Sequence, residues 1–134
     1  MKYLLFHGSF VLLSGLIAGL LYWAAILRDD QESLARWRVA HSFLVIEGMF
    51  MLVAGVSIPH LVLGERALQL LVWTMVLSGY AFVYAFLIGA LKGIRGLWMK
   101  PFGLNTALFA GHFIGATGSL LGTAILIYGF LEAI

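Results

Sequence analysis

Two ionisable residues share one apolar run, His41 and Glu47 in RVAHSFLVIEGMFMLVAGVSIP, from Arg38 to Pro59. A charged group at the centre of a membrane-spanning helix costs about 2.5–3.5 kcal/mol on insertion scales, so a carboxyl there has a partner or a task. For Glu47 the tasks are a general acid or base, a proton relay, or a polar anchor to His112 or a tyrosine. His41 suits metal ligation. Residues seven apart nearly superimpose on a helix, so His41, Gly48 and Gly55 form one stripe, with Glu47 about 120° away. An imidazole above two glycines could hold the iron of a flat macrocycle lying on the bare helix. The plainer alternative is an interfacial histidine that is solvated or bonded to a neighbour.

The elements that must position these groups follow from composition. The chain has 134 residues, of which 63% are hydrophobic and 10% charged, and its mean hydropathy is +1.04. That is an integral membrane protein, all-α, with no length left for a soluble catalytic domain. Four runs reach the roughly 20 apolar residues a spanning helix needs: about 3–26, 39–58, 67–91 and 104–131. Together they make a single four-transmembrane-helix domain over residues 1–134. Lys2 followed by apolar residues resembles a signal peptide, but the run continues to Ile26 and reads as the first span. The absence of cysteine excludes disulfides, thiolate metal sites, iron-sulfur clusters and cysteine nucleophiles.

Arg28, Arg36, Arg38, Lys92, Arg95 and Lys100 fall on one side of the four-span topology, Lys2 and Arg66 on the other. The positive-inside rule then puts both termini on the non-cytoplasmic side. A net charge of +2 without a clustered basic face gives no nucleic-acid partner. Gly15xxxGly19, Gly111xxxGly115 and Gly118xxxGly122 read as close-packing faces between helices.

Depth follows from a rise of about 1.5 Å per residue. Counted from Val39 and Leu104, His41 and Asn105 are shallow, Glu47 lies about 9 Å below His41, and His112 is level with Glu47. His41 and His112 are then about 10 Å apart in depth. Tyr80 and Tyr84, four apart on the third span, join the Glu47 layer. His7 and His60 fall near the opposite surface. His60, after Pro59, reads as an interfacial or capping residue, and His7 as a hydrogen-bond partner of another span or a functional group.

The segments LLFHGSFVLLSGLIAGL and RVAHSFLVIEGMF, with weaker matches at VLSGYAFVYAF and LGTAILIYGFLE, resemble the small four-helix membrane isomerases typified by styrene oxide isomerase and hydroxylaminobenzene mutase. The resemblance implies an integral protein of the bacterial inner membrane, a homo-oligomer and often a trimer, that binds haem b. It implies rearrangement, without net redox change, of a small apolar oxygenated substrate drawn from the bilayer lipid. The conversion would be epoxide to carbonyl, or aryl hydroxylamine to aminophenol, with ferric haem acting as a Lewis acid. In that family a histidine at the start of the second helix binds the iron, which corresponds to His41. Gly48, Gly55 and His112 complete the expected cofactor surroundings. The family follows its histidine, after five residues, with Asn-Gly; here Glu47 and Gly48 stand there. The family's tyrosine falls on Phe86, leaving Tyr84 as the nearest hydroxyl. Glu47 is the expected acid, base or orienting group, with Tyr84 and Asn105 as auxiliary donors. Two other classes stay open: a haem b electron carrier or sensor ligated by His41 and His112, and a cofactor-free transporter in which Glu47 and His112 pass protons.

Overall fold

The computed structural model describes residues Met1–Ile134. It contains four long helices, α1 (Lys2–Leu27), α2 (Gln31–Ser57), α3 (Glu65–Lys92) and α4 (Leu104–Leu131), all long and apolar enough to cross a membrane. The protein is thus an integral membrane four-helix domain. Only three residues link α1 to α2. Asp29 makes that turn with φ of +52°, a conformation that Asp tolerates better than most residues.

The largest departure from the expected spans is the start of α2, eight residues before Val39. The polar stretch QESLARWR is helical because it is capped and internally paired. Asp30 accepts a hydrogen bond from Ser33 N at 3.1 Å, and Arg36 pairs with Glu32 one turn earlier at 2.6 Å. At the other end Pro59 cannot continue the α-helical ladder, and the chain passes through a short 3₁₀ turn, Ile58–His60. The α3 helix stops where Gly93 takes a left-handed φ of +68°, which returns Ile94 N to Gly89 O.

The helices form two hairpins, α1 with α2 and α3 with α4, joined because α3 packs against α2 and α1 as well. The α1–α2 contact is the tightest. A Cβ added to Gly48 would stand 2.5 Å from Leu12 N, and one on Gly15 would stand 2.7 Å from Val45 N. The two backbones touch, as small residues allow in lipid. The main apolar core gathers Leu4 and Val11 of α1, Met51 of α2 and Leu71 and Met75 of α3. It lies in the half of the molecule away from Arg36, Arg38 and Arg95.

Candidate functional site

His41 and Phe43 are two residues apart on α2, so their side chains leave the helix about 200° apart. The functional groups divide between these two faces.

On the first face His41 points at α1. Its Nδ1 lies 2.9 Å from Gly15 O, and the ring occupies the space beside Gly19, where a Cβ would fall 2.7 Å from Nδ1. Tyr22 stacks alongside, with ring centroids 6.4 Å apart. Gly15xxxGly19 therefore admits a histidine as well as a helix. The stripe continuing from His41 is not bare: Gly48 meets the Leu12 backbone and Gly55 meets the Leu5 side chain. A flat cofactor along His41, Gly48 and Gly55 was one of two readings of the spacing, and in the folded chain α1 fills that face.

The second face borders a groove of about 690 Å³ between α2, α3 and α4. Its walls are Phe43, Phe82 and Phe86, with Phe43 lying 4.8 Å from Phe82 and 4.5 Å from Phe86 between ring centroids. Arg36, Arg38 and Arg95 line it toward the basic end. His112 enters from α4, edge-on to Phe86 at 4.8 Å. His112 Nε2 is 3.1 Å from Arg95 O; a carbonyl only accepts, so Nε2 carries the proton and Nδ1 is left as an acceptor.

One helical turn beyond Phe43, Phe82 and Ala116 lies a polar cluster that joins all three helices. Glu47 is buried, and its Oε1 accepts from Ser78 Oγ at 3.2 Å and Ser119 Oγ at 3.1 Å. The two serine oxygens are 2.7 Å apart, and Ser78 also reaches Gly115 O at 2.6 Å. Glu47 anchors to serines rather than to His112 or a tyrosine, as the depth count had suggested. The discrepancy traces to where α2 begins. Measured from Gln31, Leu104 and the Lys92 end of α3, Glu47, Ser119 and Ser78 lie about 24, 22 and 21 Å along their helices. The same origin places His41 and His112 within about 3 Å of one level. What separates those histidines is α2 itself, since they lie on opposite sides of it.

The remaining expected groups are elsewhere. Tyr84 points away from the groove, over Gly111 of α4, and makes no hydrogen bond. Asn105 donates to Trp98 O and Lys100 O, which ties the third link to the start of α4. Tyr80 leaves the Glu47 layer, its hydroxyl 2.9 Å from His7 Nδ1. Side chains lean toward the N-terminus of their helix, so on α3 the tyrosine leans toward the surface where His7 sits. Phe86, on which the tyrosine of the resembled family falls, lines the groove in place of Tyr84.

A family model described as styrene oxide isomerase matches residues 1–131. No curated protein and no solved structure matches the chain.

Proposed function

The chain belongs to the styrene oxide isomerase family and is on that ground an isomerase of the membrane; we propose that it rearranges a small apolar oxygenated substrate without net redox change. The substrate class is an epoxide converted to a carbonyl compound, or an aryl hydroxylamine converted to an aminophenol. One observation carries this reading: an aromatic-walled groove, open between helices, ends one turn from a buried carboxyl. Such a groove takes an apolar molecule from the bilayer and keeps water from it.

Haem b is the proposed cofactor, and His41 is the residue that would hold its iron. The residues present fit that role. Because Gly15 O only accepts, His41 Nδ1 carries the ring proton, and Nε2 keeps its lone pair with no hydrogen bond from the protein. When bound, the iron would supply Lewis acidity toward the substrate oxygen. The chain's own groups do the rest. Phe43, Phe82 and Phe86 hold the apolar body of the substrate, and Glu47 orients it or exchanges a proton with it. His112 offers its Nδ1 to a donor in the groove. His41 and His112 as a ligand pair in one protomer find no support, since α2 stands between them.

The same separation puts His41 and the groove out of reach of each other within one chain. A reaction that uses both draws them from two copies, so a closed homo-oligomer, the trimer of the resemblance, is part of the proposal. The proposal includes a bacterial inner membrane with the groove's basic end on the cytoplasmic face and both termini outside, a placement that Arg36, Arg38 and Arg95 at the groove support.

The test is an absorbance spectrum of detergent-purified protein alongside chromatography of reactions with styrene oxide and with phenylhydroxylamine. A Soret band, its loss in His41→Ala, and rearrangement of one of the two substrates are expected. Full activity in colourless protein removes the haem, and a haem-loaded protein inert toward both substrates overturns the substrate class.

A further inference from the structure

The cluster beside the groove makes four hydrogen-bond contacts with only two serine protons to fill them, and that imbalance distinguishes its two serines. Each hydroxyl has one proton to donate. Ser78 Oγ has three neighbours, Gly115 O at 2.6 Å, Ser119 Oγ at 2.7 Å and Glu47 Oε1 at 3.2 Å. Gly115 O can only accept and is the shortest of these contacts, so it takes the Ser78 proton. Ser78, fully buried, is thereby locked to the α4 backbone. Ser119 holds the other proton and shares it between Ser78 Oγ at 2.7 Å and Glu47 Oε1 at 3.1 Å. Glu47 Oε2 receives no hydrogen bond from the protein and is not sealed from the surface.

We propose that Ser119 and Ser78 are positioning residues for Glu47. Ser119 reaches Oε1, Ser78 fixes where Ser119 stands, and Oε2 is the edge of the carboxyl that the two serines leave free. The two serines do not touch substrate themselves. Their role rests on the proposed action of Glu47 in the rearrangement.

The test is infrared spectroscopy of the full-length protein in detergent, with steady-state kinetics on the substrate found above. The Glu47 carboxyl band is assigned by its disappearance in Glu47→Gln. In Ser119→Ala that band shifts and kcat falls about tenfold at nearly unchanged KM, the effect of one hydrogen bond. Ser119→Thr keeps a hydroxyl and restores both. Ser78→Ala moves the band less, because Ser78 acts on the carboxyl through Ser119. Ser119→Cys, close in shape and weaker as a donor, gives an intermediate shift and serves where the alanine variant does not fold. An unmoved Glu47 band in Ser119→Ala and Ser119→Cys overturns the positioning role whatever the activity. Undiminished turnover in Glu47→Gln instead overturns the action of Glu47 and leaves the band measurement to decide the serines.

Discussion

The two faces of α2 carry the same kinds of residue, a titratable group among small and apolar neighbours, yet they are built oppositely. Toward α1 the face is closed: Gly48 and Gly15 let backbones touch, and His41 fits beside Gly19 with one ring nitrogen tied to Gly15 O. Toward α3 and α4 the face is open, with phenylalanine walls around a groove and a carboxyl tied at a single oxygen. A closed face fixes a ring's tautomer and orientation. An open one leaves room for a substrate. The proposed function gives cofactor ligation to the first and substrate handling to the second, and each half can be broken separately.

The largest effect is expected on the closed face. Gly48→Leu places side-chain atoms where Leu12 N already lies 2.5 Å from a Cβ position, and backbone cannot rotate aside. Overpacking of this kind costs about 1–3 kcal/mol even where side chains can yield, so loss of monodisperse folded protein in size-exclusion chromatography is expected. Gly64→Ala, with nothing within 4 Å, elutes unchanged. On the open face, Glu47→Gln lowers kcat by about a hundredfold, the low end for a positioned acid or base. Its Soret band stays as in the wild type, because nothing on the His41 face has altered.

Gly19→Ala makes the reciprocal change. The new methyl meets the His41 ring at 2.7 Å and disturbs its bond to Gly15 O. Loss of a partner that orients a metal-binding histidine weakens the metal about ten- to a hundredfold, which a haem titration followed at the Soret band will read. Gly19→Ala reconstituted at saturating haem should recover the wild-type KM, since the groove is untouched. If both Glu47→Gln and Gly19→Ala changed haem affinity and KM together, the division between faces would fail.

How much of this arrangement was readable from the sequence depends on which physical signal each residue carried. The four spans, their order and the costly placement of Glu47 follow from hydropathy alone, because length and desolvation are local properties. The partners of Glu47 did not follow. Ser78 and Ser119 are serines in apolar helices, indistinguishable from others such as Ser9 and Ser14 that bond back to their own helix. Finding them requires the right depth, and depth requires the true start of α2, concealed because QESLARWR is too polar to score as membrane helix. The glycine stripe misled for a related reason: spacing says that Gly48 and Gly55 share a face with His41, but not whether a cofactor or α1 covers it.

A smaller effect is expected inside the groove. Phe86→Tyr adds a hydroxyl beside His112, whose ring lies 4.8 Å from that of Phe86. One neutral hydrogen bond to a substrate oxygen raises kcat/KM by up to about tenfold. An unchanged kcat/KM would mean that the oxygen of the substrate lies at the Glu47 end of the groove and its apolar body at Phe86.

The smallest effect tests the element both faces share. Asp30 caps α2, and its carboxyl is held below its ordinary 3.8 chiefly by hydrogen bonds from the Ser33 side chain and backbone. A depressed folded value means that the cap stabilises the protein in full above the ordinary value, and that this stabilisation fades as pH falls from 3.8 through the folded value. Asp30→Ala should therefore melt slightly lower than the wild type at pH 7, and the gap in Tm should close on acidification. Asp30→Asn keeps a capping oxygen without the titration, so its gap to Asp30→Ala persists at low pH. Because α2 carries both faces, a frayed first turn would disturb Arg36 and Arg38 at the groove before it reached His41. A small rise in KM at unchanged haem affinity is thus the expected functional trace of Asp30→Ala, and a fall in haem affinity first would place the stability of α2 on the α1 side instead.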